Sequence, residues 1–243
     1  WFFSNKAGGR VASLAQANVG SLIHALAEHV ALGDDAQGEM DIDALMSRVD
    51  QVWPRLSFAT PWSSARERDR VRLALERFLA WHQANPRQLI AAERQFTADV
   101  QLSSGDAIRI RGTIDRLEID AQGALVVVDL KTGRRSISAK SVESDPQLAL
   151  YQLAITDGDA VAEGAITGGA QIVQLGLDDS RPARLATQLP LEMGSTFDQE
   201  FRQDLAEIAQ TIRKESFPAT PGSVCDRCEF ISICPAKSAG SVL

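Results

Sequence analysis

Two aspartates and a lysine flank a predicted β-hairpin in an arrangement that suits metal-dependent hydrolysis. Asp115 and Asp129 are symmetric about Gln122, so a hairpin turning there makes them cross-strand neighbours, with Cβ atoms about 4.5–5.5 Å apart. Lys131 follows Asp129 by two residues and points to the same face of an extended strand. Carboxylates suit Mg²⁺ or Mn²⁺. A bound metal would polarise a phosphodiester and activate water, and the lysine would stabilise negative charge or position that water.

Spacing alone leaves a second interpretation open, a solvated hairpin end with a surface Asp–Lys pair. Other residues favour the first interpretation. Glu93 precedes the strands, and His24 follows Gly20 on a predicted helix. Gln147 and Tyr151 stand four residues apart, so they share one helix face shortly after Lys131. Taken singly, a helical histidine is more often structural, and a Gln/Tyr pair is ordinary on an amphipathic helix.

The elements that position these residues follow from the spacing of apolar side chains. Helical spacing predicts three helices, whose stripes are Val19–Val30, Val71–His82 and Phe197–Ile212. A fourth helix starts at Asp145-Pro146 and runs to about Thr156. Turn residues at 33–38 and the Trp53-Pro54 and Thr60-Pro61 pairs interrupt the N-terminal part.

Strands are predicted between these helices. Alternation predicts strands over 107–111, 113–119 and 125–128, and 171–175 reads as another strand. Ala121-Gln122-Gly123 supplies an antiparallel turn. We therefore expect an α/β fold with a central mixed sheet flanked by helices. It divides into a helical part (1–92), a core (93–216) and a cysteine-bearing tail (217–243).

Composition limits the possible functions. The 243 residues carry 25 basic and 32 acidic side chains, a net charge of −7, which excludes binding of nucleic acid through bulk positive charge. No apolar run approaches the roughly 20 residues of a membrane span, and the first residues lack the layout of a signal peptide, so we expect a cytoplasmic protein without membrane contact. Local basic runs remain: 66–72, diluted by acids, and 131–140, next to the predicted site. We favour DNA contact for the second run only, through Arg134, Arg135 and Lys140.

All three cysteines fall within ten residues, as Cys225, Cys228 and Cys234 in a C-x2-C-x5-C pattern. An odd, clustered set favours a metal or cluster site over a disulfide framework. A closed zinc site or a [4Fe-4S] cluster needs four ligands, so one is missing from this group. Three buried structural cysteines remain the plainer alternative.

Three segments together resemble the nuclease domain of the RecB family within the PD-(D/E)XK superfamily. They are Gly112-Thr113-Ile114-Asp115-Arg116, Val127-Val128-Asp129-Leu130-Lys131-Thr132-Gly133 and Gln147-Leu148-Ala149-Leu150-Tyr151, and Gly20-Ser21-Leu22-Ile23-His24 matches an upstream helix motif. The resemblance covers nearly the whole chain. It implies metal contacts from His24, Asp115, Asp129 and the main-chain carbonyl of Leu130. It implies that Lys131 is the catalytic lysine, that Glu93 is a supporting acid, and that Gln147 and Tyr151 support the active site and the DNA strand.

The tail resembles the ends of AddB-type and mycobacterial AdnA/AdnB-type nuclease domains, where a [4Fe-4S] cluster takes its first cysteine from a distant upstream segment. Trp1-Phe2-Phe3 is similar to the aromatic end of that segment, so the expected fourth ligand lies ahead of Trp1. The cluster would join the two ends of the domain as a structural staple.

The resemblance implies a Mg²⁺- or Mn²⁺-dependent deoxyribonuclease, cutting single-stranded DNA or unwound duplex ends. Its context would be a bacterial helicase-nuclease that resects double-strand breaks near the nucleoid. The helicase would lie elsewhere in the same polypeptide, since this sequence has no Walker A motif, and a second helicase-nuclease subunit would be the partner. The alternative is a non-catalytic DNA-binding or assembly module that keeps the fold and the cluster. A weaker one is a zinc-ribbon-tailed regulator.

Overall fold

A computed structural model describes residues 12–33, 41–102, 105–161, 165–179, 181–228, 230–231, 234 and 236. Six α-helices lie in this part: α1 (Ala12–Leu32), α2 (Ile42–Val52), α3 (Pro61–Ala84), α4 (Ala139–Glu143), α5 (Pro146–Thr156) and α6 (Thr196–Arg213). Five strands accompany them: β1 (Gln88–Gln101), β2 (Ala107–Ile119), β3 (Leu125–Lys131), β4 (Thr167–Gln174) and β5 (Arg184–Gln188). Short 3₁₀ turns cover Trp53–Arg55 and Ser223–Arg227. No helix in this part is long and apolar enough to cross a membrane.

Local capping explains where the helices begin. Thr60 and Ser63 form a reciprocal capping box at the start of α3, with Pro61 in the first turn, so the proline that interrupts the preceding chain also starts this helix. The Asp145 side chain accepts hydrogen bonds from the backbone N–H groups of Gln147 and Leu148 and thereby fixes the start of α5. The four predicted helices are confirmed. Helices α2 and α4 were not predicted.

The five strands form one mixed sheet in the order β1-β2-β3-β4-β5. Every neighbouring pair is antiparallel except β3 and β4, which are parallel and connected through α4 and α5. The β2–β3 hairpin turns as predicted: Arg116 pairs with Val128 and Ile119 with Leu125, all symmetric about Gln122. Asp120 accepts hydrogen bonds from the backbone N–H groups of Gln122 and Ala124 and so stabilises the turn.

The strand predictions need correction at three places. Residues 107–111 and 113–119 are one continuous strand, β2, because Gly112 stays in the ladder opposite Phe96 instead of breaking it. Strands β1 and β5, at the two edges of the sheet, were not predicted, and Glu93 lies within β1 instead of preceding the strands. The α/β architecture with a mixed sheet flanked by helices is confirmed.

Each face of the sheet has its own hydrophobic core. One core joins α1, α2 and α3 to Val128, Leu130 and residues of β4. The other packs α5 and α6 against residues of β1, β2 and β3. Strand β3 is buried over its first six residues, which confirms the interpretation of the Val126–Val128 run as a buried strand. The site residues at the end of β3 are therefore held by packing on both faces.

Substituting Gly112 tests a tight contact inside this framework. A Cβ atom at position 112 would lie 2.8 Å from Cε1 of Phe96, whose ring packs edge-on against Tyr151 with centroids 6.1 Å apart. We expect Gly112→Ala to lower the free energy of unfolding in urea by about 1–3 kcal/mol, the usual cost of overpacking. Gly133→Ala is the control, because an added Cβ there meets nothing within 4 Å. Equal stability of the two variants would contradict this account.

Candidate active site

Asp115 and Asp129 lie on neighbouring strands where the β2–β3 ladder ends. Their register continues the last ladder pair, Arg116 with Val128. The Asp115 side chain reaches across, and its Oδ2 accepts a hydrogen bond of 2.8 Å from the backbone N–H of Leu130. The Asp129 side chain is 2% exposed, against 14% for Asp115. The two carboxylates therefore meet at one edge of the hairpin, as the sequence predicted.

Helix α1 brings His24 to this edge. Its Nδ1 lies 3.5 Å from Oδ1 of Asp115 and 3.6 Å from Oε1 of Glu93. One turn earlier, the backbone of α1 approaches the chain after β3 closely, because a Cβ at Gly20 would lie 3.1 Å from Oγ1 of Thr132. Burial by itself lowers the pKa of His24, but the hydrogen bond to Asp115 and the surrounding carboxylate charges raise it above 6.5 overall.

Glu93 reaches the site through an unusual backbone conformation. It lies in β1 with φ of +45°, between Ala92 and Arg94, both of which keep their pairing with β2. A left-handed conformation costs a non-glycine residue about 1–3 kcal/mol and persists only where the surroundings hold it. Burial, followed by repulsion from Asp115, raises the pKa of the Glu93 carboxyl. Strain at a residue that faces two other acidic or basic side chains is typical of a functional site.

Lys131, Gln147 and Asp129 form a second group beside the first. The Lys131 ammonium lies 2.9 Å from Oδ2 of Asp129 and donates a 2.8 Å hydrogen bond to Oε1 of Gln147. The amide nitrogen of Gln147 donates to Oδ1 of Asp129 at 3.1 Å and to the hydroxyl of Tyr151 at 2.8 Å. One face of α5 therefore fixes the orientation of both the lysine and the aspartate. Burial raises the pKa of Tyr151 to about 12, so this hydroxyl stays protonated at neutral pH.

The donor set fits a divalent cation. Within the described part of the chain, His24, Glu93 and Asp115 are the one group of three His, Cys, Asp or Glu side chains whose ligand atoms all lie within 4.8 Å. Next to them, the buried Oδ2 of Asp129 has the Lys131 ammonium at 2.9 Å, yet burial and then the charge of Asp115 raise the pKa of that carboxyl overall. Carboxylates with an imidazole suit Mg²⁺ or Mn²⁺, and a cation would relieve the repulsion between the acids. The resemblance implied His24, Asp115, Asp129 and the carbonyl of Leu130 as metal ligands. The structure instead groups Glu93 with His24 and Asp115.

The basic run after Lys131 is fixed at several points. Arg134 is 43% exposed and donates to Oε1 of Glu67 at 2.6 Å. The buried side chain of Gln174 donates to the carbonyl of Arg135 and accepts from the N–H of Ile137. Arg135 and Lys140 are exposed. The three predicted DNA-binding residues therefore lie at the surface, and one of them, Arg134, is already ion-paired.

The cysteines lie on a succession of tight turns after α6. The backbone N–H of Cys225 donates to the carbonyl of Gly222, Cys228 to Cys225, Ile231 to Cys228 and Cys234 to Ile231. All three thiols are free and half-buried. In the described residues their sulfur atoms do not form a group within 4.8 Å. Trp1-Phe2-Phe3, which the sequence relates to this cluster, lies outside the described residues.

One acidic residue at the site was missed by the sequence reasoning. Glu28 lies one helical turn after His24 and lines the same cleft, together with Gly20, Ser21 and Glu93. Its charge contributes to the raised pKa of Glu93. The spacing of four residues from His24 was the available signal.

Comparisons with known proteins identify the family to which the chain is similar. The family model described as the PD-(D/E)XK nuclease superfamily matches residues 1–235. No curated protein matches the chain. A solved crystal structure of a protein called SSO0001 is 13% identical, with 91% of this chain and 98% of that chain covered and a TM-score of 0.41. That similarity is too low to support an argument about function.

Proposed function

The chain belongs to the PD-(D/E)XK nuclease superfamily, and we propose that it is a Mg²⁺- or Mn²⁺-dependent deoxyribonuclease acting at Asp115, Asp129 and Lys131. The observation that carries the proposal is the convergence of these side chains at one sheet edge. Lys131 Nζ lies 2.9 Å from Oδ2 of Asp129. The Asp115 carboxylate accepts a 2.8 Å hydrogen bond from the backbone N–H of Leu130, the residue between Asp129 and Lys131. Family membership supports a nuclease in general, and the geometry supports these particular residues.

His24, Asp115, Asp129 and the carbonyl of Leu130 would hold the metal, with Glu93 as a supporting acid. A divalent cation bound there supplies positive charge that polarises the scissile phosphodiester and lowers the pKa of water. His24, on α1, lies between two of these acids, with Nδ1 3.5 Å from Oδ1 of Asp115 and 3.6 Å from Oε1 of Glu93. The imidazole therefore holds the Asp115 and Glu93 carboxylates near each other against their mutual repulsion.

Lys131 has a separate role. Its ammonium is held between Asp129 and the side-chain oxygen of Gln147, so its charge is fixed in position before substrate arrives. A fixed cation stabilises the negative charge that develops on phosphate oxygens without reorganising during the reaction. Gln147 and Tyr151 are positioning residues in this account, because they act on Lys131 and Asp129 and not on the phosphate.

Tyr151→Phe tests that positioning role. The substitution removes the hydroxyl that accepts from Gln147 at 2.8 Å but keeps the ring packed on Phe96. We expect kcat to fall about 2- to 10-fold, the equivalent of one hydrogen bond, with stability in urea nearly unchanged. Steady-state cleavage of an oligonucleotide measures this. A loss of more than 100-fold would indicate direct participation of the hydroxyl and contradict the positioning role.

We propose single-stranded DNA or unwound duplex ends as substrate, with Arg134, Arg135 and Lys140 as phosphate contacts. The net charge of −7 does not oppose this, because phosphate contacts are local and these exposed cations adjoin the site. Arg134 would exchange its ion pair with Glu67 for a phosphate, and such exposed pairs stabilise a fold by at most about 1 kcal/mol.

We further propose that Cys225, Cys228 and Cys234 are ligands of a [4Fe-4S] cluster with a fourth ligand from elsewhere in the protein. Support comes from the C-x2-C-x5-C spacing and from three free thiols on successive tight turns. The role would be structural. Anaerobic purification followed by iron, sulfide and zinc analysis tests it. Stoichiometric zinc without sulfide would instead favour the zinc-ribbon alternative.

From the same sequence resemblance, we propose that the chain belongs to the RecB-like, AddB- or AdnA/AdnB-type group. The proposed context is a cytoplasmic helicase-nuclease that resects double-strand breaks for recombinational repair, with a helicase region and a second subunit as partners. In this scheme residues 1–92 carry the histidine motif, 93–216 the nuclease core and 217–243 the cysteine tail.

Cleavage assays on the purified chain test the central proposal. Single-stranded and duplex DNA, labelled at either end, are incubated with Mg²⁺, with Mn²⁺ or with EDTA. We expect cleavage of single strands that depends on the metal. A non-catalytic module would bind DNA, fail to bind Mn²⁺ in a titration and cut neither substrate, so that result would replace our proposal with the alternative.

A further inference from the structure

Four alternating arginines on the first half of α3 have unequal surroundings. Arg68 pairs with Asp50, Arg70 with Glu67 and Asp178, and Arg72 with Asp43 and Glu76. Arg66 forms no ion pair with any residue that the structure describes. Its guanidinium lies instead over the ring of Trp62, 5.8 Å from the ring centroid. The first arginine of the run therefore contacts an aromatic ring, whereas the other three form ion pairs with carboxylates.

Trp62 itself is unusually open. It is 66% exposed, whereas Trp81 is 9% exposed and Trp53 is stacked on Phe58 with its indole N–H donated to Ser64. The capping box of Thr60 and Ser63 fixes the first turn of α3, so Trp62 stands on a rigid base. Because Arg66 covers only part of the indole, a wide aromatic surface remains accessible to a ligand.

Helix α3 connects this pair to the loop that follows the candidate active site. Glu67, the residue after Arg66, bonds to Arg134 at 2.6 Å, and Arg134 is three residues beyond Lys131. Trp62 lies five positions before Glu67, a rise of about 7.5 Å along the helix axis. Helices α3 and α1, which carries His24, also pack in the same core on the same side of β3. The first half of α3 therefore borders the basic run after Lys131, along which we propose that the strand passes.

We propose that Trp62 and Arg66 form a stacking platform for an unpaired base of a single-stranded DNA substrate. The inference rests on the proposed nuclease function and adds the part of the substrate that is recognised away from the cut. Every base has a π-face, so stacking on an indole holds a strand without reading its sequence, and an adjacent guanidinium adds cation–π attraction. Bases inside a duplex are not available for such stacking, so the platform selects single strands.

The surroundings favour a base over a protein partner as the occupant. Arg66 places a positive charge at the edge of the platform, which suits a ligand whose neighbouring groups are phosphates. The other nearby exposed cations, Arg134 and Arg135, continue toward the site on the same loop. A hydrophobic protein contact would instead be expected to include further exposed apolar side chains, and single exposed aromatic residues do not make such a patch.

Binding in EDTA tests the platform without cleavage. A fluorescent single-stranded oligothymidylate and a matched abasic oligonucleotide, which has the phosphates but no bases, are titrated with each protein and followed by anisotropy. We expect Trp62→Ala to weaken binding of the oligothymidylate about tenfold and to leave abasic binding unchanged. Trp62→Phe should recover most of the affinity, because it keeps a ring.

Two matched controls separate the platform from general surface effects. Phe217→Ala removes another exposed aromatic side chain, 71% exposed, and should leave both affinities unchanged. Arg66→Ala should weaken oligothymidylate binding several-fold, whereas Arg68→Ala, whose guanidinium is held by Asp50, should have no effect. Circular dichroism confirms that each variant is folded.

Three results would overturn the platform: unchanged binding by Trp62→Ala, an equal loss on the abasic oligonucleotide, or an equal loss in Phe217→Ala. The first would leave Trp62 as a protein-contact residue. These outcomes are independent of catalysis. If the wild type binds in a Trp62-dependent manner but cuts nothing with Mg²⁺ or Mn²⁺, the proposed nuclease function is refuted and the platform is retained. If the Trp62→Ala variant cleaves normally with an unchanged KM, the platform is refuted and the nuclease function is retained.

Discussion

Asp129→Asn should abolish metal-dependent cleavage while leaving the metal-free protein at least as stable as the wild type. The Asp129 carboxyl is buried and faces the charge of Asp115, and these two effects on its pKa outweigh its ion pair with Lys131 at 2.9 Å. Removing its charge therefore removes an unfavourable burial as well as a proposed metal ligand. We expect kcat/KM to fall at least about 1,000-fold, since both metal binding and charge stabilisation depend on this group.

The effect on stability has a defined pH dependence. Burial, followed by Asp115, raises the pKa of Asp129 above its ordinary value of 3.8. A carboxyl with a raised pKa in the folded state binds its proton more tightly there, so its contribution to stability is lost as the pH rises through the folded pKa. Asn does not titrate. The difference in stability in favour of Asp129→Asn should therefore grow from about pH 4 towards neutral pH.

Urea denaturation in EDTA and Mn²⁺ titration measure the two halves of this prediction. Asp204→Asn is the matched control, because Asp204 is exposed on α6 and away from the proposed ligands. The wild type and the control should gain stability with Mn²⁺, and Asp129→Asn should not. Retained cleavage in Asp129→Asn would remove this residue from the mechanism.

The sequence predicted those parts of the fold that depend on local pattern. Strong apolar stripes marked α1, α3 and α6, and an acidic N-cap before a proline marked α5. Helix α2 was missed because its buried side chains, Leu45, Met46 and Val49, are few and set among polar residues. Strand β5 was missed because it has only five residues, lies at the sheet edge and carries one large apolar side chain, Leu185, which is exposed.

The part of the candidate site that lies on the β2–β3 hairpin could be predicted from the sequence. Symmetry about Gln122 brought Asp115 and Asp129 together because the turn fixes the register of both strands. The left-handed conformation of Glu93 had no such signal, because it depends on how β1 meets β2 and α1, and the whole core sets that packing. The cation–π pair of Trp62 and Arg66 does have a local signal, since the two residues are four apart on one helix, but the spacing alone does not show that the ring is exposed.

Lys131→Met should separate catalysis from metal binding. Methionine has a similar length and no charge, so the substitution removes the ammonium near Asp129 and Gln147 and leaves all proposed ligands in place. We expect kcat to fall about 100- to 10,000-fold, the range for a group that stabilises developing charge or assists proton transfer. Affinity for Mn²⁺ should be equal to or higher than in the wild type, because a neighbouring positive charge is gone.

Isothermal titration with Mn²⁺ and single-turnover cleavage measure the two quantities on the same preparation. Lys214→Met, at the exposed end of α6, is the control and should match the wild type in both. Lys131→Arg should recover little activity, because a planar guanidinium does not fit a position shaped by Asp129 and Gln147 around a compact ammonium. Loss of Mn²⁺ binding in Lys131→Met would mean that the lysine maintains the metal site itself, and its proposed role in charge stabilisation would then be wrong.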